Sequence, residues 1–193
     1  MGRKVGITLD QVVAVATDIA DRDGLAGMSL RRVADELGIK TPSLYAHVAG
    51  LPGLRRELAL DAARRVGAIV ANQDEGEGVP AVLRRVARQY RRFALDHPGL
   101  YQSLLPAPRP GDDDELYSTL AEPVVSLQGH LIAGGVPAEQ TVHLIRALRS
   151  MIHGFVDLEM KDGFGMPENV EESFDRAVDV VVDGVLGPSS EAG

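Results

Sequence analysis

Apolar residues recur along this chain at intervals of three and four, the period of helices that pack by one face. Leu9, Val12, Val13, Ala16, Ile19 and Ala20 predict a first helix over Leu9 to Asp23, capped by Thr8 and ended by Gly24. Leu30, Val33, Ala34 and Leu37 predict a second, with Ser29 as N-cap and Gly38 as its stop. Ile39 is a buried plug between it and a third helix. The third starts with Thr41 as N-cap and Pro42 at the first helical position. Its inner face is Leu44 and Val48; its outer face is Thr41, Ser43, Tyr45, Ala46 and His47. Gly50 to Gly53 reads as a turn, after which Leu54, Leu58, Ala62, Val66 and Ile69 mark a long helix from about Pro52 to Asn72.

The rest of the chain continues in the same way. Pro80 opens a helix to about His97, with Val82, Val86, Tyr90 and Phe93 inward. A short helix spans Leu100 to Leu105, and another runs from the acidic residues near Asp114 to Ala133, with a kink expected at Pro123. Ala138 to about Lys161 follows Pro137, and a last helix capped by Asn169 ends near Val185. The fold class is all-α. Residues 1–50 form a three-helix, helix-turn-helix domain, and residues 51–187 a helical bundle entered by a linking helix over 51–72. Residues 188–193 are a flexible tail. The last helix is apolar on two sides, which calls for a partner. The dimer face is expected at Leu148, Ile152, Phe174, Val178, Val181 and Val185.

A helix-turn-helix presents its second helix to a DNA major groove. Thr41 and Ser43 have the groups to reach base edges or phosphates, and Tyr45 and His47 to donate to phosphate oxygens. The same hairpin also serves as a plain packing unit in helical proteins. The net charge of −8 looks wrong for a DNA binder until it is divided. Residues 1–60 carry +1, leaving −9 for the remainder, an acidic body behind a near-neutral head. Arg3 and Lys4 are either a frayed terminus or a basic arm for phosphate or minor-groove contact. Five arginines between Arg84 and Arg92 are read as a solvated face paired with that acidic body, in preference to a second nucleic-acid surface.

Gly38, Pro42, the run Leu44-Tyr45-His47-Val48 and Leu54, with Ala14, Ala16, Gly24, Leu30, Val33, Ala34 and Leu37 upstream, resemble the reading head of the TetR (tetracycline-repressor-type) family of transcriptional regulators. The resemblance covers about the first 60 residues. Farther on, His153 and Gly154 resemble the His-Gly pair of a Trp-His-Gly subclass of C-terminal domains, although the chain has no tryptophan. It implies a homodimer that sets two heads on a roughly palindromic double-stranded DNA operator and is released by a small-molecule effector bound in the body. Arg31 would read guanine, with Lys40, Thr41, Pro42 and Ser43 beside it and Tyr45 and His47 on phosphates. Many members carry a lysine at the start of the linking helix; this chain has Leu51, so Arg55 or Arg56 would substitute. Tyr90, Tyr101, Tyr117, Met151 and Phe155 would line the effector pocket.

Other classes find little support. The chain has no cysteine, which excludes disulfides, a thiol nucleophile and a Cys-type zinc site. There is no GxSxG elbow, HExxH pair or phosphate-cradling glycine loop, so no catalytic residue and no cofactor are assigned. Asp112 to Asp114 lack calcium-loop spacing. His130, His143 and His153 are read as hydrogen-bonded or pocket-lining, so no metal is expected. No signal peptide or membrane span is visible, which points to the cytoplasm. The alternatives are a helix-turn-helix regulator without a small-molecule inducer and, farther off, an enzyme on a helical scaffold.

Overall fold

Thr8 and Gln11 open the first helix together. Thr8 Oγ1 accepts from the Gln11 backbone N–H at 3.3 Å, and Gln11 Oε1 accepts from that of Thr8 at 3.0 Å. This capping box opens α1, Leu9–Gly27. The computed structural model describes residues 6–71, 76–106, 111 and 113–186, the side chain of Val185 excepted. Arg3, Lys4, Asp112, the side chain of Val185 and the tail over 188–193 therefore lie outside what is described. Gly24 takes φ 74°, ψ 164°, so the helical path ends there as its glycine foretells, and a separate turn reaches Gly27.

The remaining elements are α2 (Leu30–Glu36), a 3-10 helix (Thr41–Ala46), α3 (Gly50–Ala71), α4 (Val79–Asp96), α5 (Pro98–Ser103), α6 (Asp114–Ala133), α7 (Ala138–Met160) and α8 (Val170–Leu186). All described regular structure is helical. Backbone packing divides the chain into two units, residues 1–65 with 96–120, and residues 66–95 with 121–193. The first unit reaches beyond the division expected at 50/51 because α5 packs on α1. Its interior is built from Val12, Ile19, Val33, Leu44, Leu58 and Leu100, all wholly buried. Burying each such side chain contributes about 1.5–3 kcal/mol.

In the second unit, α7 and α8 close on each other through Leu148, Ile152, Phe174 and Val178, which are 0–4% exposed. These four, expected from the sequence at the dimer face, are thus buried within a single chain. Periodicity identifies a buried face without saying which partner buries it. Phe174 also lies edge-on to Phe155 at 5.1 Å, and Phe155 packs on Phe164 at 4.6 Å. The Arg91 guanidinium stands 5.0 Å from the Phe174 ring.

The arginines of α4 meet the acidic residues of the same unit. Arg84 donates to Asp179 at 2.6 Å and Asp183 at 3.1 Å, Arg88 to Asp175 at 2.7 Å, and Arg91 to Glu159 at 2.8 Å. Asp175, Asp179 and Asp183 are spaced by four, as are Arg84 and Arg88, so an acidic face of α8 lies along a basic face of α4. Arg85 pairs with Glu77 and donates to the Ile69 carbonyl at the end of α3. Pro123 does not divide α6, which is helical through it. Pro123 is buried, and a Cβ on Gly67 would lie 3.6 Å from its Cγ.

Candidate nucleic-acid interface

The turn of the hairpin depends on Gly38. Its φ of 67° lies in the left-handed region that favours glycine. The Gly38 N–H donates to the Asp35 carbonyl at 3.1 Å and Ile39 N–H to Ala34 at 3.0 Å, which closes α2. Ser29 Oγ accepts from Arg32 N–H at 3.3 Å at the other end, as its cap position predicts. Arg32 then braces α2 on α1, donating to the Gly27 carbonyl at 2.8 Å and pairing with Asp23. Arg22 joins Glu36 at 2.8 Å across the same two helices.

The recognition segment is a 3-10 helix instead of an α-helix. Lys40, not Thr41, holds its cap position, and no side chain caps it. Pro42 lies in its first turn, and the Ser43 N–H donates to the Lys40 carbonyl at 2.9 Å. Three residues per turn put Thr41, Leu44 and His47 on one ridge. Leu44 is wholly buried, and Thr41 and His47 beside it are half-buried. Pro42, Ser43, Tyr45 and Ala46 face outward, with Tyr45 63% exposed. Lys40 and Arg31 are exposed too, and Arg31 pairs loosely with Asp35 at 3.7 Å. Of the residues expected on the reading face, Arg31, Lys40, Pro42, Ser43 and Tyr45 are exposed, and Thr41 and His47 are half-buried.

At the start of α3 the two candidate arginines separate. Arg56 pairs with Asp113, Glu115 at 2.6 Å and Glu57 at 3.0 Å, so it braces the chain internally. Arg55 is exposed and donates to the Leu25 carbonyl at 3.4 Å, which leaves its guanidinium at the surface. The Arg56 guanidinium, with the Leu116 N–H behind it, holds the Asp113 carboxyl down to about 2. An Asp with a lowered folded-state pKa stabilises above its ordinary value of 3.8, and that contribution fades as the pH falls towards 2. Arg56→Ala should let the Asp113 pKa climb back towards 3.8, as read from its carboxyl chemical shift in an NMR titration.

The residues expected to line the pocket fall in both units. Tyr101 is buried in the first unit and Tyr117 is exposed there. Tyr90, Met151 and Phe155 belong to the second. Phe155 is taken up by the Phe164 and Phe174 rings, as above. Tyr90 stacks edge-on to His153 at 5.7 Å, and burial pushes its hydroxyl pKa up. Burial, and then the Arg149 guanidinium, hold His153 down to about 4, so its Nε2 accepts from Arg149 Nε at 3.1 Å as neutral imidazole. Among the described residues no group of three or more His, Cys, Asp or Glu is placed to hold a metal ion. Among them, too, no helix is long and apolar enough to cross a membrane.

Residues 83–181 match the family model for the tetracyclin repressor-like C-terminal domain. Over 189 residues the chain is 32% identical to the uncharacterized HTH-type transcriptional regulator YobS of Bacillus subtilis (strain 168), covering 96% of each. The chain belongs to the TetR family of transcriptional regulators. It is also 44% identical over 101 residues to the HTH-type transcriptional repressor DrrR1 of Streptomyces coeruleorubidus, 52% of this chain and 37% of that one. The TetR fold itself is matched by the structure of TetR(class A) in complex with 5a,6-anhydrotetracycline and magnesium. Its TM-score is 0.72 at 20% identity, over 94% of this chain and 99% of that one. Its TetR-type architecture is a helix-turn-helix domain followed by a helical C-terminal domain.

Sequence reading missed two features of the first unit: the Arg56 brace and a carboxylate at Asp21 that holds the start of α5. Both join residues 57 or more positions apart, so no local pattern signals them.

Proposed function

We propose that this TetR-family regulator is a cytoplasmic repressor, a homodimer that binds a roughly palindromic DNA operator and leaves it when a small molecule occupies its helical body. The observation that carries this reading is the contrast on the recognition segment. Leu44 is wholly buried while Pro42, Ser43 and Tyr45 stand exposed around it, as a groove-reading surface requires. Arg31 reads guanine through its paired donors, its loose contact with Asp35 being weak enough to exchange. Thr41, Pro42 and Ser43 meet neighbouring bases. Tyr45 and His47, with Lys40 and Arg55, meet phosphates.

Two heads in successive major grooves would have centres about 34 Å apart. The second copy would be met by exposed parts of α7 and α8. Leu158 and Val180 are apolar and exposed. Gly154 and Gly184 have open space where a Cβ would stand. A glycine within a helix costs roughly 1 kcal/mol, which close approach of a second backbone would offset. The small-molecule part is supported by a fold neighbour that holds 5a,6-anhydrotetracycline, and the Trp-His-Gly reading of the body by His153 and Gly154. A ligand that favours one head spacing over another shifts DNA affinity by that difference alone.

Mobility-shift titration with the DNA flanking its own gene tests the reading. Arg31→Ala should weaken specific binding by about tenfold and relax the base preference at one position of each half-site. Tyr45→Phe should weaken binding to all sequences by a similar, smaller factor. Unchanged sequence-specific binding in both variants would refute the assigned face.

A further inference from the structure

In the second unit Arg84, Arg85, Arg88, Arg91, Lys161 and Arg176 each pair with an Asp or Glu. Arg149 meets an imidazole instead, its Nε donating to His153 Nε2 at 3.1 Å. Among the described residues, neither Arg149 nor Arg146 has a carboxylate oxygen within 4.0 Å. The two arginines are exposed and lie about one turn of α7 apart, so their guanidiniums share a face. In so acidic a chain, a pair of guanidiniums without a carboxylate is a patch of unmatched positive charge. Its field reaches two neighbouring rings. Burial first, and then the Arg149 guanidinium, hold His153 down to about 4. Burial raises the Tyr90 hydroxyl pKa, and the same guanidinium opposes it. Tyr90 shares the inward face of α4 with buried Val86 and Phe93, yet is itself only half-buried. It meets His153 edge-on, with ring centres 5.7 Å apart. Val142, one turn before Arg146, adds an exposed apolar surface. A partly open ring, an uncharged imidazole and two guanidiniums thus stand together where α4 and α7 meet, all within the second unit.

We propose that this is a carboxylate-binding site and that the small-molecule effector is an aromatic organic acid. The assignment rests on the ligand-responsive reading above and names the chemistry of its ligand. His153 occupies the Nε of Arg149, which leaves both Nη nitrogens for the two oxygens of one carboxylate. Arg146 supplies a second cation beside it. Tyr90 and His153 offer ring edges and faces to the aromatic body. Because His153 is uncharged, the site presents two cations, which suits one carboxylate better than a doubly charged phosphate.

The test uses the full chain and 2-naphthoate, whose fluorescence is read without a tryptophan background because the chain has none. The uncharged isostere 2-naphthamide is titrated in parallel. The wild-type protein should bind the acid about tenfold or more tighter than the amide. Arg149→Gln should bring the acid down to the level of the amide, and Arg146→Gln should weaken the acid by about threefold. Arg149→Lys keeps the charge without the planar fork and should recover part of the preference. A general loss of stability would weaken acid and amide alike and leave their ratio unchanged. A wild-type protein that binds neither, or both equally, overturns the ligand class. A ratio unaltered by Arg149→Gln overturns the site. If the arginines meet a second copy of the chain instead, Arg149→Gln weakens self-association in sedimentation velocity and the acid is not selected, which also overturns it. Acid-selective binding that leaves operator affinity unchanged keeps the carboxylate site and refutes the release of DNA by its ligand.

Discussion

Phe174→Ala should cost the second unit about 3–5 kcal/mol of stability, read as a lowered urea midpoint with an unchanged slope. Phe174 is wholly buried, lies against Phe155 and carries the Arg91 guanidinium on its ring. Truncation leaves a cavity between α7 and α8 and removes the aromatic face from a half-buried cation. Phe174→Leu fills most of that space and should lose much less. Equal losses for the two variants would mean that the ring contacts, and not the volume, hold this seam.

The second large effect is expected at Gly99. Gly99→Ala would set a methyl group 2.3 Å from the Ala20 carbonyl carbon and 2.5 Å from its oxygen. These are backbone atoms in the middle of α1 and cannot turn aside, so α5 must lift. The loss should be about 3 kcal/mol or more in chemical denaturation. Gly154→Ala is the contrast, since nothing stands within 4 Å of the added Cβ. There alanine should leave the fold of one chain as stable or slightly more so, because it is the better helix former. A Gly99→Ala protein as stable as the wild type would mean that α5 shifts on α1 freely.

Much of this was legible in the sequence because helix signals are local. Thr8, Ser29 and Asn169 cap where a side-chain oxygen followed by an apolar period says they should. Gly24 and Gly38 break the path where glycine is needed. The exposure of Pro42, Ser43 and Tyr45 was readable for the same reason: buried Leu44 fixes which way its neighbours face. The 3-10 character of Thr41–Ala46 was not, since six residues with a proline among them satisfy either helix. The dimer face is less legible. Leu148, Ile152, Phe174 and Val178 are apolar at the right spacing, but an internal seam and an external one have the same spacing. Asp21 and Arg56 escaped because their partners are remote, and an isolated charged residue on a helix looks solvated until its partner is known.

The tight winding of Thr41–Ala46 limits how much sequence it could survey. At about 2 Å of rise per residue its six residues extend roughly 12 Å. Stacked base steps of about 3.4 Å make that three or four pairs of duplex. Discrimination beyond so short a word would come from Arg31 on the preceding helix and from how readily the intervening bases bend. A consensus for this regulator should accordingly be brief and sharp at two mirrored points, with a centre that varies in letter but not in length.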